Sequence, residues 1–271
     1  MRKVRAKSLS NTPLQPPIEM SSRKEFKYPR RRLIRFILQK LSIPAFKLVS
    51  RMEIIGRENL PEKGPLLLVG NHFSFIDPVS FVRISRWPIE FLGGAEFAHA
   101  PAWVRWIPWM WGYYPLYRGT GSTYGLKAAE AILSQGGVLG IFPEAGNWAE
   151  VLRPARPGTA FLATLTGAPL VPVGIHGLND VFPSLGKGKR AKVIVRIGEK
   201  FGPFKVTGRG RERREQLDEI GHEIMRHIAK LLPPEKRGHY SEDPAIREAA
   251  KGTEKYPWAD KVEGEYKGEI H

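Results

Sequence analysis

Pro65-Leu66-Leu67-Leu68-Val69-Gly70-Asn71-His72-Phe73-Ser74-Phe75-Ile76-Asp77-Pro78 is the stretch on which the fold turns. Leu66–Gly70 is a short unbroken apolar run, the pattern of a strand covered on both faces. A histidine and an aspartate separated by four residues follow it, and a helix-like segment begins at Pro78. Open α/β sheets hold their ligand crevice where a buried strand delivers its carboxyl end to a turn. Imidazole is the side chain whose unperturbed pKa suits proton transfer near neutrality. A carboxylate one turn away can fix the ring's tautomer and stabilise the imidazolium that forms. A structural reading stands beside this one: Asp77 before Pro78 also fits a helix start, with Asp as N-cap and Pro at the first helical position.

Working outward, strand-like runs recur at Ile89–Leu92, Val138–Phe142, Leu170–Ile175 and Val193–Ile197. Helical stretches lie between them near Val79–Ser85, Ser122–Leu133 and Thr159–Thr166. Apolar strands alternating with helices predict an α/β fold with a mixed, largely parallel sheet flanked by helices. Glu212–Leu232 reads as an amphipathic helix ending before Pro233-Pro234.

Three later blocks accompany the first. They are Gly112-Tyr113-Tyr114-Pro115-Leu116-Tyr117-Arg118, Phe142-Pro143-Glu144-Ala145-Gly146 and Val171-Pro172-Val173-Gly174-Ile175. Together with Asn71, His72, Ser74 and Asp77, they resemble the ordered motifs of the glycerolipid acyltransferase superfamily, over about residues 45 to 205. Its best-known members make phosphatidate from lysophosphatidate, and its first motif is His-x4-Asp. The resemblance implies His72 as general base and Asp77 as the group that orients it. It also implies Asn71, Ser74, Arg118, Glu144 and Gly146 as parts of the substrate site. The family's third block normally reads Phe-Pro-Glu-Gly-Thr-Arg, and its arginine helps hold the acceptor's phosphate. Here Ala145-Gly146-Asn147 follows the glutamate. Arg153 and Arg156 are the nearby cations that could replace the missing one, a solvated loop charge being the alternative for each.

What the resemblance implies chemically is direct transfer, because an acyl thioester is already activated and the acceptor hydroxyl is the poor partner. Removing its proton during attack typically contributes about 10²–10⁴-fold. The implied co-substrates are acyl-CoA or acyl carrier protein as donor and a lysophospholipid as acceptor, with no cofactor and no metal. Lysophosphatidate is the favoured acceptor, and another lyso-lipid or a glycolipid the alternative.

The 271 residues carry a formal charge of +16 and contain no cysteine, which excludes disulfides, thiolate metal sites and a cysteine nucleophile. So basic a chain calls for a polyanionic partner, either nucleic acid or an anionic lipid surface. Residues 1–28 read as a disordered basic arm, and no apolar run of signal-peptide length follows Met1. Residues 29–56 are expected to hold a basic amphipathic helix, since Arg35 and Lys40 interrupt the apolar run that a membrane span requires. Ordinary packing against the domain is the alternative. Pro101–Trp111 places four of the seven tryptophans in nine residues, with Trp103, Trp106 and Met110 at helical spacing. Tryptophan favours the headgroup layer, so Arg35, Trp103 and Trp106 are the expected membrane contacts. Aromatics among cations also suit single-stranded nucleic acid, but such a partner leaves the four ordered blocks unexplained and is not expected. The expected location is therefore the cytoplasmic face of the cell membrane, peripheral or monotopic. The catalytic domain is expected over 57–232, and 233–271 as a charged, loosely attached tail. A hydrolase using His72 and Asp77 on water, and a lipid-binding module without catalysis, are the competing functions.

Overall fold

The computed structural model describes residues 26–94, 106–116 and 123–255. Its centre is a seven-stranded sheet: β1 (Ser50–Ile55), β2 (Leu66–Gly70), β3 (Glu90–Gly94), β4 (Tyr114–Leu116), β5 (Val138–Ile141), β6 (Leu170–His176) and β7 (Ala191–Ile197). The spatial order is β1-β7-β6-β2-β5-β3-β4. All neighbours are parallel except β6 and β7. The expected mixed, mostly parallel sheet is therefore present.

The helices are α1 (Arg32–Val49), α2 (Asp77–Ile84), α3 (Trp106–Trp111), α4 (Thr123–Ser134), α5 (Pro157–Thr166), α6 (Val181–Leu185), α7 (Gly210–Ala229) and α8 (Pro244–Ala250). They explain why β2 is apolar throughout rather than alternating. Leu67 and Val69 enter a core shared with α4, α5 and α7. Leu66 and Leu68 point the other way, into a core with Phe81 and Ile84 of α2 and Phe46 of α1. A strand with both faces covered gains by being apolar at every position, about 1.5–3 kcal/mol for each fully buried leucine or valine.

Four expectations about the chain's borders need correction. First, the sheet begins before residue 57, because Ser50–Ile55 pairs in parallel with Ala191–Arg196 as an edge strand. Its exposed Arg51 and Glu53 alternate with inward Met52 and Ile54, which hides it from a search for continuous apolar runs. Second, the arm is packed at its end: Phe26 is buried against the rings of Tyr114 and Tyr124. Gln135 holds that end, its amide donating to Phe26 O at 2.7 Å and accepting from Tyr28 N at 3.2 Å. Third, residues 233–255 are docked. Leu152 N donates to Lys236 O, His239 N donates to Leu152 O, and Gly238 lies so close that a Cβ there would meet Leu152 O at 2.3 Å.

Fourth, Arg35 is not at a membrane surface. Its side chain is 1% exposed and forms a two-pronged ion pair with the buried Glu90. Its Nε donates to Trp111 O at 3.0 Å. Two charges removed from water require such mutual satisfaction, and the pair ties α1 to β3 and α3. Arg31 adds bonds to Trp109 O and Met110 O. Trp103 and Arg118 lie outside the described residues.

Candidate active site

The carboxyl ends of β2, β5 and β6 share one rim of the sheet, as their parallel pairing requires. Gly70 closes β2 because a Cβ there would meet the Phe81 ring at 2.8 Å and Val173 O at 2.9 Å. Asn71 then continues the ladder with its side chain. Its Nδ2 donates to Ile175 O at 2.9 Å, and its Oδ1 accepts from Ile175 N at 2.7 Å. Asn71 therefore joins the first block to the fourth and is a fastening rather than a substrate contact.

His72 projects from this clamp. Its Nδ1 lies 3.0 Å from Asp77 Oδ2, and its ring stacks on Phe142 with centroids 4.4 Å apart. Nε2 has no hydrogen-bond partner among the described residues, and the side chain is 17% exposed. An ionised Asp77 only accepts, so Nδ1 carries the proton and Nε2 presents its lone pair.

The N-cap reading of Asp77 is replaced by a different arrangement. Helix α2 has no side-chain cap. The Asp77 carboxylate instead reaches backward, where Oδ2 accepts from Phe73 N and Ser74 N, each at 2.7 Å. One buried oxygen thus sets the turn and the imidazole together. Burial pushes the Asp77 carboxyl up, while the bond and charge of His72 and the two N–H donors act the other way. Ser74 is buried in this turn and lines the adjoining cleft.

Glu144 also works on the backbone. The resemblance implies a substrate-site role for it, yet it is 1% exposed. Its Oε1 accepts His72 N–H at 2.7 Å, and its Oε2 accepts Arg153 N at 3.1 Å and Arg153 Nε at 3.2 Å. Burial pushes this carboxyl up to about 7, against the Arg153 guanidinium and the His72 and Arg153 N–H groups that favour its anion. Arg153 is equally committed: it bonds Gly146 O and lies 3.6 Å over the Trp148 ring. It is a buried, paired cation rather than a free one. Gly146 has no side chain because the Trp148 ring occupies that space, 2.3 Å from where a Cβ would stand. Arg156 is exposed and donates to Glu254 O at 3.0 Å.

A cleft of about 480 Å³ adjoins the motif, lined by Phe73, Ser74, Phe75, Asn147, Trp148, Leu178, Asn179 and Phe182. Leu178, Asn179 and Phe182 were not anticipated. They carry no motif, and only the turn after β6 brings them here. Phe142 was within a recognised block, but its stacking on the imidazole had no sequence signal. Among the described residues no cluster of three or more His, Cys, Asp or Glu could hold a metal ion.

A histidine oriented by a buried carboxylate, partly exposed and with its other nitrogen unpaired among the described residues, is equipped to take a proton from a bound hydroxyl. Residues 51–176 match the acyltransferase family model. That match covers a little under half of the chain. The chain is similar to 1-acyl-sn-glycerol-3-phosphate acyltransferases, 27% identical over 154 residues to one from Borreliella burgdorferi, covering 54% of this chain and 60% of that protein. It is 26% identical over 199 residues to one from Chlamydomonas reinhardtii, covering 71% and 56%. The chain thus spans a little over half the length of these two relatives. The chain also shares its fold with the crystal structure of the 1-acyl-sn-glycerophosphate acyltransferase PlsC from Thermotoga maritima. That match has a TM-score of 0.50 and 22% identity, over 74% of this chain and 83% of that one.

Proposed function

We propose that the protein transfers an acyl group from an acyl thioester to the free hydroxyl of lysophosphatidate, giving phosphatidate for phospholipid synthesis. The observation that carries this reading is the His72–Asp77 pair, next in sequence to residues that line a cleft, in a chain similar to enzymes of that name. His72 Nε2 takes the hydroxyl proton as the oxygen attacks the thioester carbonyl. The tetrahedral adduct expels the thiolate, breaking the C–S bond, and the imidazolium returns the proton to sulfur. Asp77 holds the ring and offsets the transient positive charge, while Glu144 holds the backbone from which the ring projects. No enzyme nucleophile enters this scheme.

The reaction takes place at an anionic membrane surface, on the cytoplasmic side. Among the described residues no helix is long and apolar enough to cross a membrane. Yet α1 and α3, joined through Arg31 and Arg35, expose Leu33, Phe36, Leu41, Trp106 and Trp109. Exposed apolar groups on a basic helix suit the headgroup layer.

The test is a purified-protein assay with a labelled acyl donor and a panel of lyso-lipids, read by product mass. Lysophosphatidate should be acylated fastest, and His72→Ala should lower turnover by about 10²–10⁴-fold. Wild-type turnover in His72→Ala, or far faster acylation of another lyso-lipid, would overturn the assignment.

A further inference from the structure

A second cleft, of about 470 Å³, lies on the same rim as His72 but has the opposite character. It is lined by His176, Lys187, Lys189, Arg190 and Lys192, with Asp180 as its one acidic group. The turn that builds it is well defined. Lys187 N and Lys189 N both donate to Ser184 O, and Gly188 between them adopts the left-handed conformation, φ 67°. Arg190 is anchored by donating to Lys47 O at the end of α1. Lys187, Lys189 and Lys192 form no ion pair among the described residues, Asp180 notwithstanding. Four like charges in one concavity repel each other, and a bound polyanion relieves that repulsion.

Its position relates it to the active site. The connection from β6 through α6 is a partition: Leu178, Asn179 and Phe182 line the catalytic cleft, whereas His176, Asp180 and Ser184 line the basic one. Asn71 is bonded to Ile175, the neighbour of His176, so chain geometry places His72 and His176 within about 15 Å.

We propose that this cleft binds the phosphorylated nucleotide end of coenzyme A, with the pantetheine arm passing over the partition to bring the thioester to His72. The inference rests on the acyl-transfer reading and names its donor. Three observations favour a nucleotide over a carrier protein or a lipid headgroup. The cleft is concave and of small-ligand size. Its cations converge on one hollow instead of spreading over a face. Their number suits a ligand bearing a diphosphate and a 3′-phosphate.

The test uses the full chain and the charge-reversed double variant Lys187→Glu/Lys189→Glu, both exposed positions, with melting temperature as the check on folding. Calorimetric titration with free coenzyme A should show binding to wild type and to His72→Ala, and at least tenfold weaker binding to the double variant. The KM for acyl-CoA should rise by a similar factor, with kcat and the acceptor KM unchanged. Dephospho-coenzyme A, lacking the 3′-phosphate, should bind wild type more weakly and lose less from the substitutions. An unchanged KM for acyl-CoA would overturn the proposal. So would a rise confined to acyl carrier protein substrates, or a loss confined to binding of phosphatidylglycerol vesicles. Because free coenzyme A reports on the cleft without turnover, a wild type that binds it but acylates no lyso-lipid refutes the reaction and leaves the cleft standing.

Discussion

Glu144 Oε1 accepts the backbone N–H of His72 at 2.7 Å, so the carboxylate of the third block holds the histidine of the first by its main chain. Asp77 holds the same histidine by its ring. Two buried carboxylates therefore fix one residue from two sides, and neither is placed to bind substrate directly.

Asp77→Asn separates orientation from turn formation. The amide oxygen can still accept from Phe73 N and Ser74 N, so the loop and its folding should survive. With Nδ1 no longer facing a carboxylate, tautomer control and imidazolium stabilisation are both lost. Turnover should fall by about 10²–10⁴-fold with little change in melting temperature. A fully active Asn variant in steady-state assays would return Asp77 to a purely structural role.

Glu144 makes a pH signature. Its carboxyl moves from 4.5 to about 7 on folding, so the native state holds that proton more tightly than the unfolded chain does. The associated stability is fully present below about pH 4.5 and is lost as pH rises through about 7. Glu144→Gln cannot titrate. The melting temperature of wild type minus that of the variant should therefore shrink from pH 5 to pH 7.5 and then level off. Calorimetric scans showing the difference widening over that range would contradict the assignment.

Ala145 sits at φ 59°, in the left-handed region, where the family pattern carries glycine. An L side chain there costs about 1–2 kcal/mol, and glycine recovers about half of it after its larger unfolded-state entropy is counted. Ala145→Gly should raise the urea midpoint, equivalent to about 0.5–1 kcal/mol, and leave the Ala145 N to Phe142 O turn bond in place. A lower midpoint would show that the alanine methyl contributes packing that outweighs the backbone strain.

Trp106 and Trp109 are 53% and 73% exposed on α3. Replacing both by Ala should weaken sedimentation with phosphatidylglycerol vesicles by about tenfold or more, since each buried ring is worth about 1.5–3 kcal/mol of apolar transfer. Raising salt should weaken binding further by screening the basic attraction. Arg35→Met, by contrast, leaves Glu90 buried with fewer partners and should lower the melting temperature instead. Vesicle binding unchanged in the double tryptophan variant would remove α3 from the membrane contact.

Much of the architecture was legible in the chain, because local rules determine it. The all-apolar run Leu66–Val69 announced a strand covered on both faces, and Gly70-Asn71-His72 marked its end. The strands at Val138, Leu170 and Val193 were visible for the same reason. The His72–Asp77 pair was legible as well, since five residues of separation leave the chain little freedom. Other features depended on contacts between distant residues, which no window of sequence contains. Arg35 read as a surface charge until Glu90, 55 residues away, supplied a buried partner. Glu144 read as a substrate ligand until the parallel pairing of β2 and β5 set it beneath the His72 amide. Lys187, Lys189 and Lys192 carried no motif, and one turn and one strand gather them into a hollow. Short-range patterning of apolar groups sets which segments become strands and helices. Only tertiary packing decides which charges are buried, and so which are paired and which remain free to bind.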